Sequence, residues 1–317
     1  MTLRQAVVWL AALVAFAMAL FTAGCTTTPP SLPEARSNES AFPFTITDDA
    51  QRSVTIQKEP VRVVSLASSN TELVYALGLQ DKLVGVDDYS DYPAEAKNKE
   101  KVGSFSKPSV EKIVSLAPDL VLATNIHVKA VLPELEKRGL TVVVFQPPKL
   151  ERVQSNLELL AKIGAKADVG AKVAGEFQRR VEAVTSKTRS LATRPRVFFE
   201  LSPDLISAGA DTFLDDLIAK AGGENIARDA QGPWPKLSPE SIVLKDPEVI
   251  VLSDMGSERG GVTIDMVKAR PGWSAISAVK TGRIVPLEDV DIVNRPGPRA
   301  VDGLDFLART IHPELFK

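Results

Sequence analysis

"PSVEKIVSLAPDLVLA" (108–123) and "KLSPESIVLKDPEVIVL" (236–252) decide the fold, because one pattern occurs in both at a constant offset. Each segment begins near a serine suited to cap a helix and continues with apolar residues at helical spacing. A Pro-Asp or Pro-Glu turn then leads into a continuous apolar run, which is typical of a buried strand. A glutamate occupies the same place in each segment, at Glu111 and Glu240. The repeat predicts two similar halves, each with a helix followed by a strand.

Two further pairs of segments support this duplication. An apolar run followed by a helical pattern occurs in each half, as "VRVVSLA" (61–67) before "SSNTELVYALGL" (68–79), with its first serine as the expected cap, and "RVFFELS" (196–202) before "DTFLDDLIAKAGG" (211–223). "TVVVF" (141–145) and "RIVPL" (283–287) add a third strand to each half. Apolar strands that alternate with helices indicate mainly parallel sheets covered on both faces, so the predicted fold class is α/β.

A single long helix is predicted between the two halves. Residues 167–190 carry one apolar stripe at helical spacing, at Val169, Val173, Phe177, Val181 and Val184. A helix of about 22 residues spans roughly 33 Å and acts as a stiff strut. We therefore expect two similar α/β lobes joined by one long α-helix, with a ligand cleft between the lobes where the strands end.

Composition and the first residues point to an exported protein. The chain has 317 residues and a net charge of -2, so it lacks the basic surface that nucleic-acid binding needs. Residues 1–25 contain Arg4, an apolar run and small residues before Cys25, the only cysteine, which is the pattern of an export signal. Because Cys25 directly follows Ala23 and Gly24, the segment resembles a bacterial lipobox. We expect a lipid on Cys25 that anchors the protein to the outer face of the cytoplasmic membrane.

The remaining chain divides into four predicted parts. Residues 26–40 are rich in Pro, Ser and Thr and predict a flexible tether. The expected N-terminal lobe is 41–166, the linking helix 167–190 and the C-terminal lobe 191–317. Within the first lobe, "FPFTITDDAQRSVTI" (42–56) predicts a β-ribbon.

One pattern suggests an enzyme. The run from Ser104 to Lys107 fits S-x-x-K, and Lys280-Thr281-Gly282 fits K-T-G, two motifs of penicillin-binding enzymes. The serine-asparagine motif that would complete the set precedes the S-x-x-K, which is the wrong order. The sequence therefore favours a protein that is not an enzyme. Acyl transfer by Ser104 and Lys107 is the alternative.

The two histidines, His127 and His312, are too few for a histidine metal cluster, and we expect no metal site. His312 is interpreted as a surface or helix-end residue. His127 follows a predicted strand on a loop at the cleft. An exposed loop side chain is the first interpretation, and contact with a ligand, or with a metal inside a ligand, is the alternative.

Five segments closely resemble the cobalamin-binding proteins of ABC importers. They are "PVRVVSLASSNTELVYALGL" (60–79), "VDDYSDYPAEAKNKEKVGSF" (86–105), "SVEKIVSLAPDLVLA" (109–123), "GGENIARDAQGPWPKLSPESIVLKDPEVIVL" (222–252) and "DVDIVNRPGPRAVDGLDFLA" (289–308). The wider family binds ferric siderophores, haem and cobalamin, and its members have two α/β lobes joined by one long helix. Within it, "DYSDYP" and "GPWPKLSPE" favour the cobalamin branch.

The resemblance also implies a role for the repeated glutamates. In this family one surface glutamate on each lobe docks onto arginines of the two permease subunits, and the matching residues are Glu111 and Glu240. Carboxylate–arginine bonds are directional and can set the register of such a complex. The alternative is structural, because an acidic residue in the first turn after Ser109 or Ser238 complements the helix dipole by roughly 0.3–1 kcal/mol.

The ligand-binding positions that the resemblance implies are Ser68, Tyr89, Phe105, Thr124, Ile206, Trp234, Asp291 and Arg295. A corrin ring is a broad apolar plate with amides at its rim, which suits aromatic contacts with a few polar groups. Phe105 and Ile206 differ from the residues familiar in the family, and Thr124 stands where a tryptophan is familiar. These departures thin the aromatic lining. Asp291 and Arg295 have a second interpretation as a local surface pair.

These observations predict an extracytoplasmic lipoprotein that captures cobalamin, or a related corrinoid, and delivers it to the permease dimer of an ABC importer. Cobalamin is the transported ligand, no cofactor is expected, and the protein is expected to be a monomer that binds no nucleic acid. A β-ribbon is common among siderophore-binding relatives, so a ferric siderophore or haem is the alternative ligand. A structural or adhesive lipoprotein with an empty cleft is the third interpretation.

Overall fold

The computed structural model describes residues 42–253 and 261–317. The predicted export signal, Cys25 and the tether lie outside these residues. In the two described ranges, no helix combines the length and the apolar character needed to cross a membrane.

The N-terminal lobe is built on a four-stranded parallel sheet. It begins with the predicted ribbon, in which β1 (Phe44–Thr47) and β2 (Ser53–Ile56) pair antiparallel. The following elements are β3 (Val63–Ser65), α1 (Ser68–Ala76), β4 (Leu83–Val86), β5 (Gly103–Ser104), β6 (Lys107–Pro108), α2 (Val110–Ser115), β7 (Leu120–Ala123), α3 (Leu132–Glu136), β8 (Val142–Val144) and α4 (Leu150–Ile163). The strand order in the sheet is β4-β3-β7-β8, and β5 and β6 form a separate hairpin.

The linking helix α5 (Ala167–Thr188) leads into a C-terminal lobe with a second four-stranded parallel sheet. Its elements are β9 (Arg196–Glu200), α6 (Phe213–Lys220), β10 (Glu224–Asn225), α7 (Pro239–Lys245), β11 (Val249–Leu252), α8 (Ile264–Ala269), α9 (Ser277–Thr281), β12 (Ile284–Pro286), α10 (Asp291–Asn294) and α11 (Ala300–Ile311). The strand order is β10-β9-β11-β12.

The two sheets have the same topology, which confirms the predicted pair of similar α/β lobes. In each sheet the first strand lies between the second and the third, and the fourth strand forms one edge. The repeated segments occupy equivalent places, as α2–β7 in one lobe and α7–β11 in the other. Both helices have the predicted cap, because Ser109 Oγ accepts from the Lys112 N–H at 3.3 Å and Ser238 Oγ accepts from the Ser241 N–H at 3.1 Å.

Some local predictions were incomplete. The edge strands β4 and β10 were not predicted from the sequence, since β4 is interrupted by Gly85 and β10 has only 2 residues. Gly85 allows a close approach, because a Cβ there would lie 2.6 Å from Leu116 Cδ1. The expected serine cap of α1 was wrong: Ala67 occupies the N-cap position and makes no side-chain cap bond.

The buried face of α5 differs from the predicted stripe. Phe177 and Val184 are buried as predicted, but Val169 is 38% exposed, and Gly170 and Ala174 are buried instead. The reason is close helix packing against α4, because a Cβ on Gly170 would lie 2.3 Å from Ala161 Cβ. Small residues, which carry little hydropathy signal, therefore define this interface.

One apolar cluster runs through both lobes and the linking helix. Side chains alternate across β7, so that Leu120 and Leu122 face this cluster while Val121 and Ala123 face the outer core of the first lobe. Phe177 of α5 and Leu304 of α11 belong to the same cluster. The lobes are thus joined by a continuous core in addition to the helix.

Candidate ligand-binding cleft

Strand ends position most of the predicted site residues. In the N-terminal lobe Ser68 follows β3, Tyr89 follows β4 and Thr124 directly follows β7. In the C-terminal lobe Ile206 follows β9 and Asp291 follows β12. All are therefore at the carboxyl ends of parallel strands, the edge where open α/β sheets bind ligands.

A cavity of about 890 Å³ opens between the lobes, within the range of roughly 300–1,000 Å³ that is usual for ligand pockets. The N-terminal lobe contributes Asn125 and residues 146–149, and the C-terminal lobe contributes Phe213, Trp234 and Asn294. Trp234 is 59% exposed. An apolar ligand that covered this indole would remove a large aromatic surface from water.

Tyr89 and Arg295 lie together at the junction of the lobes. Arg295 Nη2 donates to the Tyr89 carbonyl at 3.3 Å and lies 2.8 Å from Asp291 Oδ2. The Arg295 side chain is only 14% exposed. It also reaches the first lobe, donating to Asp91 Oδ1 at 2.7 Å. Asp291 and Arg295 thus form the local ion pair of the second interpretation, but Arg295 is largely buried and also joins the two lobes.

Arg299 makes a second bridge between the lobes. Its Nε and Nη2 donate to the two carboxylate oxygens of Glu72 at 3.0 and 2.8 Å. Glu72 lies on α1 with a side chain only 2% exposed. Arg299 Nη1 donates to Asp289 at 2.8 Å, and its guanidinium carbon lies 3.9 Å from the centre of the Tyr92 ring. We call Glu72, Asp91, Asp289, Asp291, Arg295 and Arg299 the cross-lobe charge cluster.

Burial and charge act in opposite directions on the carboxylates of this cluster. Burial raises the pKa of Glu72, and the bonds from Arg299 and Arg295 offset part of the rise. Burial also raises the pKa of Asp291, against the nearby charge of Arg295. At Asp91, desolvation is outweighed by the hydrogen bond and charge of Arg295, so its pKa is lowered.

A polar network lies beneath the N-terminal side of the cleft. Asp87 is almost fully buried and accepts hydrogen bonds from Ser90 Oγ, from the Tyr89 N–H at 3.2 Å and from Ser68 Oγ at 3.4 Å. Burial raises the pKa of Asp87, and the bonds from Ser90 and Tyr89 offset part of that rise. Ser68 thus meets a carboxylate that fixes the direction of its hydroxyl hydrogen.

His127 is buried, so its interpretation as an exposed loop side chain was wrong. Its Nδ1 accepts from the Thr124 N–H at 3.0 Å, which requires the hydrogen on Nε2, and Nε2 donates to the Phe105 carbonyl at 2.7 Å. Both ring nitrogens are therefore occupied by the protein itself. The Phe105 ring also meets the imidazole edge-on, with ring centres 5.5 Å apart.

Of the predicted residues, Trp234 lines the cavity, and the others lie in separate groups near the strand ends. Tyr89, Asp291 and Arg295 meet at the junction, while Phe105 and Thr124 meet through His127. Thr124 is only 3% exposed, so it contributes little open surface. In the second lobe, Ile206 pairs with Lys236 in an isolated antiparallel bridge, two residues beyond Trp234. Ser68 belongs to the buried layer around Asp87.

The repeated glutamates lie apart from these groups on α2 and α7. Glu111 and Glu240 are both exposed in the first turn of their helices. Among residues 42–253 and 261–317, neither forms an ion pair. Their carboxylates are available to a partner.

The residues of the enzyme-like pattern have ordinary structural places. Ser104 and Lys107 are cross-strand partners in the β5–β6 hairpin. Lys280 and Thr281 end α9, and Gly282 follows with a φ of 73° as the chain turns toward β12.

Sequence reasoning missed Glu72, Asp91, Asp87 and Arg299. Two signals were present. Glu72 is an isolated acid within the otherwise uncharged "SSNTELVYALGL", and Arg299 stands four residues after Arg295. Neither signal names its partner, because the partners are more than 200 residues apart in the chain.

Known proteins share this architecture. An uncharacterized ABC transporter substrate-binding lipoprotein of Bacillus subtilis, YvrC, is 36% identical over an alignment of 323 positions that covers 99% of each chain. The crystal structure of the periplasmic vitamin B12 binding protein BtuF of Vibrio cholerae matches with a TM-score of 0.72 and 31% identity, over 82% of this chain and 99% of that one. The periplasmic heme-binding protein RhuT of Roseiflexus sp. RS-1 matches with a TM-score of 0.70 and 29% identity, over 80% and 98%.

A family model described as periplasmic binding protein matches residues 63–290, which include both sheets. Proteins of this kind serve transport and are not enzymes, so the acyl-transfer alternative does not hold. With this match and these relatives, the chain belongs to the periplasmic binding protein family, as the substrate-binding component of an ABC transporter.

Proposed function

We propose that this protein captures cobalamin, or a related corrinoid, in the cleft between its lobes and delivers it to the permease of an ABC importer. The observation that carries the proposal is a pair of exposed aromatic residues, one on each lobe. Tyr89 is 60% exposed and Trp234 is 59% exposed. A corrin plate between them would cover both rings and leave its amides to polar groups at the rim.

The polar surroundings also suit this ligand. Asn125, Gln146 and Asn294 line the cavity beside Trp234 and offer neutral donors and acceptors to amide groups. The relative from Vibrio cholerae, which is named as a vitamin B12 binding protein, adds support.

Haem or a ferric siderophore is the second candidate. It is favoured by the heme-binding protein RhuT among the similar structures and by the antiparallel β1–β2 ribbon. Both ligand classes fit the same fold, so the choice must be made by binding measurements.

Delivery would use Glu111 and Glu240, with one carboxylate for each permease subunit. Equivalent helices on two similar lobes suit a partner with two-fold symmetry. A lipid on Cys25 would keep the protein close to that partner. Mass spectrometry of the protein purified from membranes tests the lipid, and retention of a Cys25→Ser variant in the membrane fraction would contradict it.

The decisive test of the ligand is calorimetric titration of the purified chain in detergent with cyanocobalamin, haem and a ferric hydroxamate in parallel. We expect one-to-one binding of cyanocobalamin and much weaker binding of the other two. Binding of haem or the hydroxamate alone would replace the corrinoid with the second candidate. Binding of none of them would favour an empty, structural cleft.

Trp234 provides a graded test of the aromatic contact. Trp234→Ala should weaken cyanocobalamin binding by about 10- to 100-fold, because covering a large side chain contributes about 1.5–3 kcal/mol. Trp234→Phe, which keeps an aromatic face, should lose less than Trp234→Ala. If both variants and the parent bound cyanocobalamin with equal affinity, Trp234 would not be part of the ligand-binding site.

A further inference from the structure

The two arginines of the cross-lobe charge cluster form ion pairs with the carboxylates of the same cluster. Arg295 lies within ion-pair distance of Asp91 at 2.7 Å, Asp291 at 2.8 Å and Glu72 at 3.4 Å. Arg299 binds both oxygens of Glu72 and also Asp289 at 2.8 Å. Both guanidinium groups are therefore occupied by carboxylates of this chain.

The cluster also carries an excess of negative charge. Four carboxylates face two guanidinium groups, and three of the carboxylates remain open to solvent. The side chains of Asp91, Asp289 and Asp291 are 47%, 52% and 31% exposed. A carboxylate still has lone pairs available after one bond to arginine, so these three can accept further hydrogen bonds from an amide N–H.

This cluster adjoins the candidate cleft. Arg295 donates to the carbonyl of Tyr89, an exposed residue that follows β4. Val293, Asn294 and Pro296, which lie between Asp291 and Arg299 in the chain, line the cavity. A ligand that rests on Tyr89 would have its edge beside the acidic side chains.

We propose that the cross-lobe charge cluster selects macrocycles with a neutral amide edge and rejects those with a carboxylate edge, and that Glu72 determines this specificity. The inference rests on the proposed corrinoid function. Glu72 is buried and does not line the cavity. It accepts hydrogen bonds from both arginines and so keeps them from pairing with a ligand carboxylate. It is a positioning residue. Without its charge, three carboxylates would still face the two guanidinium groups, but the net charge of the cluster would change from -2 to -1. Arg299 Nε and Nη2 would also lose the carboxylate that both now bind, so a ligand carboxylate would meet less repulsion and a less strongly held guanidinium.

Two corrinoids isolate the edge chemistry. Dicyanocobinamide and dicyanocobyrinic acid share the corrin plate, but the first carries amides where the second carries carboxylates. We expect the protein to bind the amide form about 100-fold more tightly, since like charges brought together cost several kcal/mol. Added salt should narrow the difference, because the repelling groups are partly exposed and screening is strong above 0.1 M or so.

Glu72→Gln keeps the shape of the side chain and removes its charge. It should reduce the preference at least about tenfold, mainly by strengthening the binding of cobyrinic acid. Asp91→Asn, at an exposed member of the cluster, should act in the same direction if Glu72→Gln does not fold. Glu59→Gln is the matched control, because Glu59 pairs with Lys82 outside the cleft and its loss removes one carboxylate without changing the cluster.

The outcomes separate this inference from the proposed function. Equal affinity of the parent protein for the two corrinoids, or a preference unchanged in both Glu72→Gln and Asp91→Asn, overturns the selectivity while leaving corrinoid capture intact. Binding of haem with no binding of cyanocobalamin, cobinamide or cobyrinic acid overturns the proposed function itself. A reduced preference in the Glu59→Gln control would also contradict the assigned role of Glu72.

Discussion

At the scale of single residues, the cleft is supported by buried polar side chains that do not face it. His127 joins the end of β7 to the β5–β6 hairpin through Thr124 and Phe105. Asp87 joins the end of β4 to Ser68 and Ser90. These bonds hold the exposed residues next to them, such as Tyr89, in fixed positions before any ligand arrives.

The hydrogen bonds of His127 predict a specific pH dependence. Burial lowers the pKa of His127 from its usual value of about 6.5, against the favourable charge of Asp87. Below pH 6.5 or so, the unfolded chain binds a proton that the folded chain excludes until its lower pKa is reached. The free energy of unfolding should therefore fall as the pH falls from about 6.5 to the lower pKa of the folded state. Above about pH 6.5, His127 is neutral in both states and should not make the stability depend on pH.

His127→Asn removes this contribution, since the amide oxygen can still accept from the Thr124 N–H but does not titrate. Urea unfolding of both proteins at pH 7.5 and pH 5 measures the effect. The parent should lose more stability than the variant between the two conditions. Carboxylates titrate in both proteins and cancel in the comparison, so parallel losses would contradict the prediction.

The candidate site residues were predicted from the family resemblance, and for some of them the fold gives a physical reason. Ser68, Tyr89 and Asp291 follow strand ends, and the topology puts strand ends at the cleft. The burial of His127 could not be foreseen, because its ring contacts Phe105 in the β5–β6 hairpin, which no sequence pattern predicted. Glu72 could not be assigned a partner, since its ion pairs join residues that are distant in the chain.

At the scale of elements, close packing between α4 and α5 sets the distance between the helices. Gly170→Ala should destabilise the protein by about 1–3 kcal/mol, because the added methyl would lie 2.3 Å from Ala161 Cβ. Gly175→Ala on the same helix is the matched control, since no atom lies within 4 Å of a Cβ there. It should stabilise the protein by about 0.5–1 kcal/mol. Thermal or urea unfolding measures both, and opposite signs are the expected result.

The strand and helix order was predictable to a large extent, whereas helix faces were predicted less well. Apolar strands such as β7 and β11 have bounds that match the sequence pattern because short continuous apolar runs that follow a turn are distinctive. The face of α5 was misjudged at Val169 because hydropathy gives no weight to Gly170, although close approach makes glycine the decisive residue there.

The two capped helices α2 and α7 make a prediction about transport. The double variant Glu111→Ala, Glu240→Ala should retain corrinoid binding, because both residues are outside the cleft, but should lower corrinoid uptake strongly in cells that depend on this protein. Stability should fall by only about 0.3–1 kcal/mol for each site, the usual helix-dipole contribution. Glu158→Ala, an exposed glutamate on α4, is the control. Unchanged uptake in the double variant would leave the glutamates with a structural role alone.

At the scale of the whole molecule, the lobes are connected in three ways. The linking helix α5 is 22 residues long, the apolar cluster continues through it from one sheet to the other, and the cross-lobe charge cluster joins the lobes beside the cleft. Together these connections oppose large hinge motion, so we expect the cleft to be mostly preformed and to close little on its ligand.

The cross-lobe charge cluster is the connection that a single substitution can weaken. Arg299→Ala leaves buried Glu72 with Arg295 alone, at 3.4 Å, and removes the contact with Tyr92. It should destabilise the protein by about 3 kcal/mol and broaden the distribution of distances between the lobes. Spin labels at Ser115→Cys and Leu244→Cys, in a Cys25→Ser background, report that distance from equivalent exposed helices. In the spin-labelled protein with Arg299 intact, the distribution of distances should be narrow. Its mean should change by less than about 2 Å when the ligand binds. A large closure in the parent, or an unchanged distribution in the variant, would mean that the helix and core alone set the lobe geometry.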